Sequence, residues 1–272
     1  MAAMSSLAMA SDFHGQSRNT AAIKDALERI ARAGFSHVHW CHEFGNSPYE
    51  YSIYEMLQIK EWCREFGLLV KGVHAAHAGE KTSDLKDFLS SNEYNRLAGV
   101  ELIHNRIEMA YNLGTDNIVL HFMFPWERLE KEIDRLNELL QPAFRSFDEL
   151  EPYCKARGIK ICVENTHGTM AQFCTVFDVL CKRYSNDFLG LCFDTGHAVL
   201  HCKDSHLEFA QRYNDRLFMM HGADNHGERD EHLLPFEGIF DWEGFASVLA
   251  RSPYCFPIVL EPSCKVEGDD SD

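Results

Sequence analysis

Nine residues spread along the chain carry side chains that bind metal ions or move protons: His74, His121, Glu164, Asp194, His197, His221, Asp230, His232 and Glu261. Each stands in or near the end of a short apolar run, or in the polar stretch that follows one, as in NIVLHF (117–122), KICVEN (160–165) and LFMMHGAD (217–224). Taken singly, a His or Glu in such a place is most often a satisfied or solvent-facing residue. Gathered together, the carboxylates would repel one another and lose hydration, which shifts pKa values or destabilises the fold. A divalent cation removes that conflict. Mixed carboxylate and imidazole donors suit Zn2+, Mn2+, Fe2+ or Co2+ better than Ca2+, which prefers oxygen alone. Zn2+ or Mn2+ is the expected ion, with Mg2+ also admitted.

Residues so far apart in sequence meet only if the fold brings them together, and the chain alternates in a way that would do so. Strand-like runs occur at 6–11, 37–43, 68–75, 117–122, 160–165, 189–197, 217–224 and 256–263. Between them lie stretches with apolar residues three and four apart, at 19–34, 49–67, 99–114, 127–158, 170–184, 204–216 and 241–250. Four of these end in Gly (Gly34, Gly67, Gly114, Gly158), as helices do when they stop at a left-handed residue. Eight strands alternating with helices, and no Pro/Gly/Ser-rich linker, fit a single (β/α)8 TIM barrel over residues 1–272. Only a short acidic tail, 265–272, follows the eighth strand, so the closing helix is absent or replaced by another segment. In such a barrel the carboxyl ends of the strands converge on one face, and the nine residues belong there.

The composition narrows the function. Of 272 residues, 45% are hydrophobic and 25% charged, enough apolar material for a core, and 26 Lys+Arg against 42 Asp+Glu give a net charge of −16. That balance argues against nucleic acid as a partner, because such binding needs cations to neutralise phosphates. No run approaches the roughly 20 apolar residues of a membrane span, and the first residues lack the basic start and apolar block of an export signal. Ten scattered cysteines without a CxxC pair read as reduced core thiols, which points to the cytoplasm. A homo-oligomer is compatible with the sequence.

The motifs around the nine residues add a resemblance. CVENTHG (162–168), FDTGHA (193–198), HGADNHGERDEHLLPFEGIFDW (221–242) and IVLEPS (258–263) together resemble the strand-end motifs of the xylose isomerase-like TIM barrel superfamily, which holds sugar isomerases and epimerases and the endonuclease IV family. The resemblance runs over roughly residues 5–264. It implies that Glu164, Asp194, His221 and Glu261 match the four-ligand metal site of the epimerase branch, and that His197 matches a substrate-contacting or second-metal histidine. With His74, His121, Asp230 and His232 added, the set resembles the trinuclear zinc site of the endonuclease IV branch.

The expected function is a divalent-metal-dependent isomerase or epimerase acting on a sugar or related polyhydroxylated carbonyl compound, a small-molecule substrate. A chelated carbonyl is polarised, the neighbouring carbon loses a proton to give an enediolate, and Glu164 and Glu261 serve as proton carriers. His197 and Arg229 would orient substrate oxygens, although Arg229 stands at a small offset from the family's substrate arginine and suits a salt bridge equally well. Trp40, Phe44, Phe124 and Trp126, with Phe13 and His14, are candidates to stack on a sugar ring or simply to pack. The alternative is endonuclease IV-like phosphodiester hydrolysis of abasic DNA. The Asp230/His232 pair and ENTHG favour it; the lack of an Arg- and aromatic-rich grip, and His77 at the place of a stacking tyrosine, weigh against it. A metal-stabilised binding protein would not need both glutamates. His37 and His39 share one strand face, His42 and Glu43 lie near that strand's end, and His167, His201, His206 and His226 are expected at the surface or behind the site.

Overall fold

The computed structural model describes residues 7–13, 20–42, 49–77, 86–202, 205–255 and 257–263. Eight parallel strands stand in the order β7-β6-β5-β4-β3-β2-β1-β8. They are β1 (Leu7–Ala10), β2 (His37–Trp40), β3 (Leu69–His77), β4 (Asn117–His121), β5 (Lys160–Glu164), β6 (Leu189–Asp194), β7 (Leu217–His221) and β8 (Ile258–Leu260). β8 pairs with β1, and a parallel bridge from Gly222 to Leu260 joins the end of β7 to β8, so the sheet curls into a barrel. The inner strands are buried on both faces, which is why they read as continuous apolar runs such as IVL in β4 and LCF in β6.

Register decides which residues meet. His121 pairs with Glu164, Glu164 with Cys192, and Asp194 with His221. Pairing therefore sets the ends of β4 and β5 level with each other and with Cys192, while Asp194 stands level with His221 two residues further along β6, after a register shift between Leu191 and Cys192. In β3 the register shifts between His74 and Ala76, and His74 stands opposite Val119.

The helices between the strands are α1 (Thr20–Arg32), α2 (Ile53–Phe66), α3 (Glu93–Leu113), α4 (Trp126–Lys131), α5 (Leu136–Leu139), α6 (Gln141–Arg157), α7 (Met170–Arg183), α8 (Thr195–Cys202), α9 (His206–Arg212) and α10 (Trp242–Leu249). Ser52 with Glu55, and Thr169 with Gln172, form capping boxes that start α2 and α7. The four glycines expected to stop helices all have positive φ; Gly158, at +68°, lets α6 turn directly into β5 and so sets where Glu164 ends.

Three expectations are corrected. The stretch 127–158 is not one helix: a 3-10 turn at Ile133–Arg135 interrupts it, and Pro142, in the first turn of α6, has no N–H with which to continue the preceding helix. The third helix starts at Glu93 rather than 99, because Asn92 accepts from the backbone of Tyr94 and Asn95 and caps it. The sixth strand stops at Asp194, so His197 lies in the first turn of α8 rather than on a strand. The expected tail at 265–272, and with it the question of a closing helix, falls outside the described residues.

Aromatic rings fill the layer between strands and helices. Phe147 on α6 is fully buried and touches Phe88, Phe122, Tyr184 and Phe188, with ring centroids 5.6–6.2 Å apart. This cluster backs β4 and β5, which carry His121 and Glu164. No helix among the described residues is long and apolar enough to cross a membrane. Replacing Phe147 by Ala should cost about 3–5 kcal/mol of stability. Urea unfolding would read this as a lower midpoint, and an unchanged midpoint would show that the cluster does not brace these strands.

Candidate metal centre

The mouth is held in place by polar residues that bond neighbouring strand ends. Asn165 donates through Nδ2 to the Asp194 carbonyl at 3.0 Å and accepts from the Asp194 N–H at 2.8 Å, locking the end of β5 to the end of β6. Thr195 Oγ1 accepts from the Ala223 N–H at 3.0 Å and donates to the Ala223 carbonyl at 2.5 Å, locking β6 to β7. The buried carboxylate of Asp224 accepts from the N–H groups of Asn225, Phe236 and Phe240 and from Trp242 Nε1. Those four bonds shape the loop that carries Asp230 and His232. His232 itself sits at φ +48°, a conformation uncommon outside glycine. Its ring Nδ1 bonds the Glu261 carbonyl at 2.8 Å, and its own carbonyl accepts from Ser263 at 2.9 Å.

The nine sequence-predicted side chains meet in one continuous cluster. Glu164 is its centre: its Oε2 lies 3.1 Å from His121 Nε2, 3.7 Å from His74 Nε2 and 3.3 Å from His221 Nδ1, while Oε1 lies 3.2 Å from His197 Nδ1. His221 Nδ1 is also 3.1 Å from Glu261 Oε2. His197 Nε2 is 3.3 Å from Asp230 Oδ2, which is 3.0 Å from His232 Nε2. Asp194 Oδ1 accepts the His197 N–H at 2.6 Å at the start of α8, which leaves Oδ2 for the interior.

Four overlapping groups each bring ligand atoms within 4.8 Å of one another: His74, His121 and Glu164; Glu164, Cys192 and His221; Glu164, Asp194 and His197; and Asp194, His221 and Glu261. The donor set also passes a test of fit. Glu164 Oε2, Asp194 Oδ2, His197 Nδ1 and His221 Nδ1 are buried with no well-formed hydrogen bond, though each faces other donor atoms. Buried polar atoms left in that state are costly, and cations in these overlapping groups would satisfy them.

The charges of the cluster balance one another. Burial would raise the Glu164 pKa, but His121 and His221 outweigh it and hold the carboxyl well below the usual range. Glu261 is likewise held low, with His221 overcoming burial. Asp194 moves the other way: burial lifts it to about 6 against the pull of His197. Burial opposes protonation of His197 and His221, yet Asp194 prevails at the first, and the Cys192 sulfur with Glu261 and Glu164 prevails at the second, so both are raised. The hydrogen bond that its ring donates to Asp230 pushes His232 up to about 10.

Other sequence candidates are placed elsewhere. Trp40 is fully buried and donates through Nε1 to Tyr51 Oη at 3.2 Å, so its ring faces the helix layer rather than the mouth. Arg229 is 80% exposed and pairs with Glu231 at 3.2 Å, the salt-bridge alternative. Phe124 is buried, and Trp126 packs over Gly168 and Phe173. His42 is buried against the Trp40 ring. His201 donates to the Thr166 carbonyl at 3.1 Å behind the site. His14, Glu43 and Phe44 lie outside the described residues. The cysteines within the described residues are free thiols, as expected; Cys264 lies outside them. Sequence reasoning missed Cys192 as a member of the cluster. The signal was there, since it stands two residues before Asp194 on the same strand and so shares its face.

Comparisons with known proteins place the family and the fold. The family model described as "Xylose isomerase-like TIM barrel" matches residues 27–270. The Uncharacterized protein y4fM of Sinorhizobium fredii is 35% identical over 253 residues, covering 88% of this chain and 80% of that protein. Among solved structures, a D-tagatose 3-epimerase-like protein matches with a TM-score of 0.74 and 22% identity, over 96% of this chain and 91% of that one. The IOLI protein with a binding zinc atom matches with a TM-score of 0.64 and 18% identity, over 94% and 88%. At these identities the structural matches speak for the fold.

A divalent ion needs unprotonated imidazole nitrogens, whereas in the metal-free cluster His197, His221 and His232 are held protonated at neutral pH. Metal uptake should therefore release protons, and affinity should rise from about pH 6 to about pH 8. Calorimetric titration of Zn2+ or Mn2+ in buffers of different ionisation enthalpy would measure the release; a heat independent of buffer would contradict this balance of charge.

Proposed function

The chain belongs to the xylose isomerase-like TIM barrel family, and on that premise we propose that it is a divalent-metal-dependent isomerase or epimerase of a sugar or related polyhydroxylated carbonyl compound. The observation that carries the reading is the convergence of Asp194, His221 and Glu261, with Glu164 beside them, at the carboxyl ends of β5–β8. The epimerase-like neighbour and the zinc-binding neighbour of the same fold lend it support.

Glu164, Asp194, His221 and Glu261 would hold the ion, which when bound polarises a carbonyl and eases loss of the proton on the next carbon. Glu164 and Glu261 reach the site from non-adjacent strands and are both held ionised, the state a proton acceptor needs. One takes the proton from carbon to leave an enediolate, and one returns a proton to the same or the neighbouring carbon. His197, with its backbone N–H held by Asp194 and its Nε2 by Asp230, would offer Nδ1 to a substrate hydroxyl or to a second ion. The role of substrate contact fits it better than it fits Arg229 or Trp40.

A specific observation keeps the hydrolytic reading as a second one. His74 and His121 on one flank, and Asp230 with His232 on the other, extend the donor set beyond what one ion requires. Such a set suits clustered ions acting on a phosphodiester. Against duplex DNA stands the loop 222–241, which has three Asp and three Glu against a single Arg.

Glu164→Gln and Glu261→Gln should each lower turnover by about 100- to 10,000-fold and stop exchange of solvent deuterium into a converted ketose. Assays would run a panel of ketoses and their phosphates beside an abasic-site duplex, with metal content measured for each variant. Cleavage of the duplex without conversion of any sugar would replace the first reading by the second, and full turnover in both variants would end the two-glutamate mechanism.

A further inference from the structure

We propose that His39 is a positioning residue that fixes which nitrogen of His221 faces the ligand cluster; the inference rests on the reading of His221 as a metal ligand. His39 is wholly buried inside the barrel on β2. Its Nε2 lies 3.1 Å from His221 Nε2, with ring centroids 4.9 Å apart and planes inclined by 51°. Two imidazole nitrogens at that distance share one proton, so one must donate and the other accept. His221 turns its other nitrogen, Nδ1, toward Glu261 Oε2 at 3.1 Å and Glu164 Oε2 at 3.3 Å. An imidazole that ligates through Nδ1 carries its proton on Nε2 and has to donate it. His39 Nε2 is then the acceptor, and the proton of His39 sits on Nδ1.

That proton needs an acceptor in turn, and one stands nearby. His39 Nδ1 and Asn117 Oδ1 are both buried without a hydrogen bond. Both border the notch left by Gly72 on β3, the strand between theirs: a Cβ there would stand 2.5 Å from Asn117 Oδ1 and 3.2 Å from His39 Nδ1. The Asn117 amide is held from its far side, where Nδ2 donates to Asp116 Oδ1 at 2.8 Å. A carboxylate only accepts, so the NH2 group faces Asp116 and the carbonyl oxygen faces the notch. One water in the notch would complete a run from Asp116 through Asn117 and His39 to His221. Elsewhere the barrel interior is closed by Ala8, Val119, Cys162, Met219 and Val259, so packing alone does not call for an imidazole on β2. A leucine would fill the space and leave the His221 Nε2–H without a partner.

Two measurements test this. Long-range 15N–1H correlation spectra of the wild-type protein, metal-free and zinc-loaded, should show His39 neutral with its proton on Nδ1; a His39 protonated on Nε2 would overturn the inference. In chelator competition, His39→Leu should raise the zinc dissociation constant about 10- to 100-fold. His39→Gln, whose amide oxygen takes the place of Nε2 as acceptor, should stay near wild type. Equal affinity in His39→Leu and wild type, or equal loss in both variants, would also overturn it. Wild-type protein that binds no zinc would instead end the metal reading of the site, and the tautomer of His39 in the metal-free protein would still decide the hydrogen-bond run.

Discussion

The structure turns on one electrostatic constraint: the buried Glu164 and Asp194 are drawn together, with the partly exposed Glu261 and Asp230 beside them, where their charges are tolerated only next to positive charge. In the protein alone that charge comes from protonated imidazoles. Five histidines surround the carboxylates, and several are raised for that reason. The same pairing that stabilises the metal-free cluster marks the atoms a cation would displace protons from. The scaffold beneath the cluster holds the acids close together.

That scaffold explains why the strand-end motifs are polar beyond their donor residues. Asn165 follows Glu164 because its amide copies a backbone pair and ties β5 to β6. Thr195 follows Asp194 because its hydroxyl spans to Ala223. Asp224 lies inside the long mouth loop as the hub of four hydrogen bonds rather than as a ligand. Glu164 and Asp194 are each followed by the residue whose side chain ties their strand end to the next, a division of labour that costs the chain little length.

Much of this was legible in the sequence, for a physical reason. Strands buried on both faces must be apolar throughout, so the polar residues that close each run mark the mouth of the barrel, and His121, Glu164, Asp194, His221 and Glu261 could be read from that rule, whereas His197, Asp230 and His232 lie beyond the strand ends. Helix ends were less legible. Asn92 and Pro142 set the boundaries of α3 and α6, and local caps and breaks of this kind are outweighed by the broad apolar rhythm when the sequence alone is read. For Trp40, which the sequence leaves open between stacking and packing, side-chain parity along β2 gives the barrel interior to His39 and turns Trp40 outward. The placement of His232 could not be read at all, since a positive φ at a non-glycine residue depends on contacts to Glu261 and Ser263 that only the closed barrel supplies.

The most direct test of the central claim is an anomalous-difference map of crystals grown from protein purified without chelators, collected at the zinc and manganese edges. A peak bounded by Glu164, Asp194, His221 and Glu261 is the predicted result, and further peaks beside His74 and His121 or beside Asp230 and His232 would count the ions. An ordered mouth with no peak at either edge, its carboxylates bonded only to histidines in protein from metal-replete cells, would contradict it.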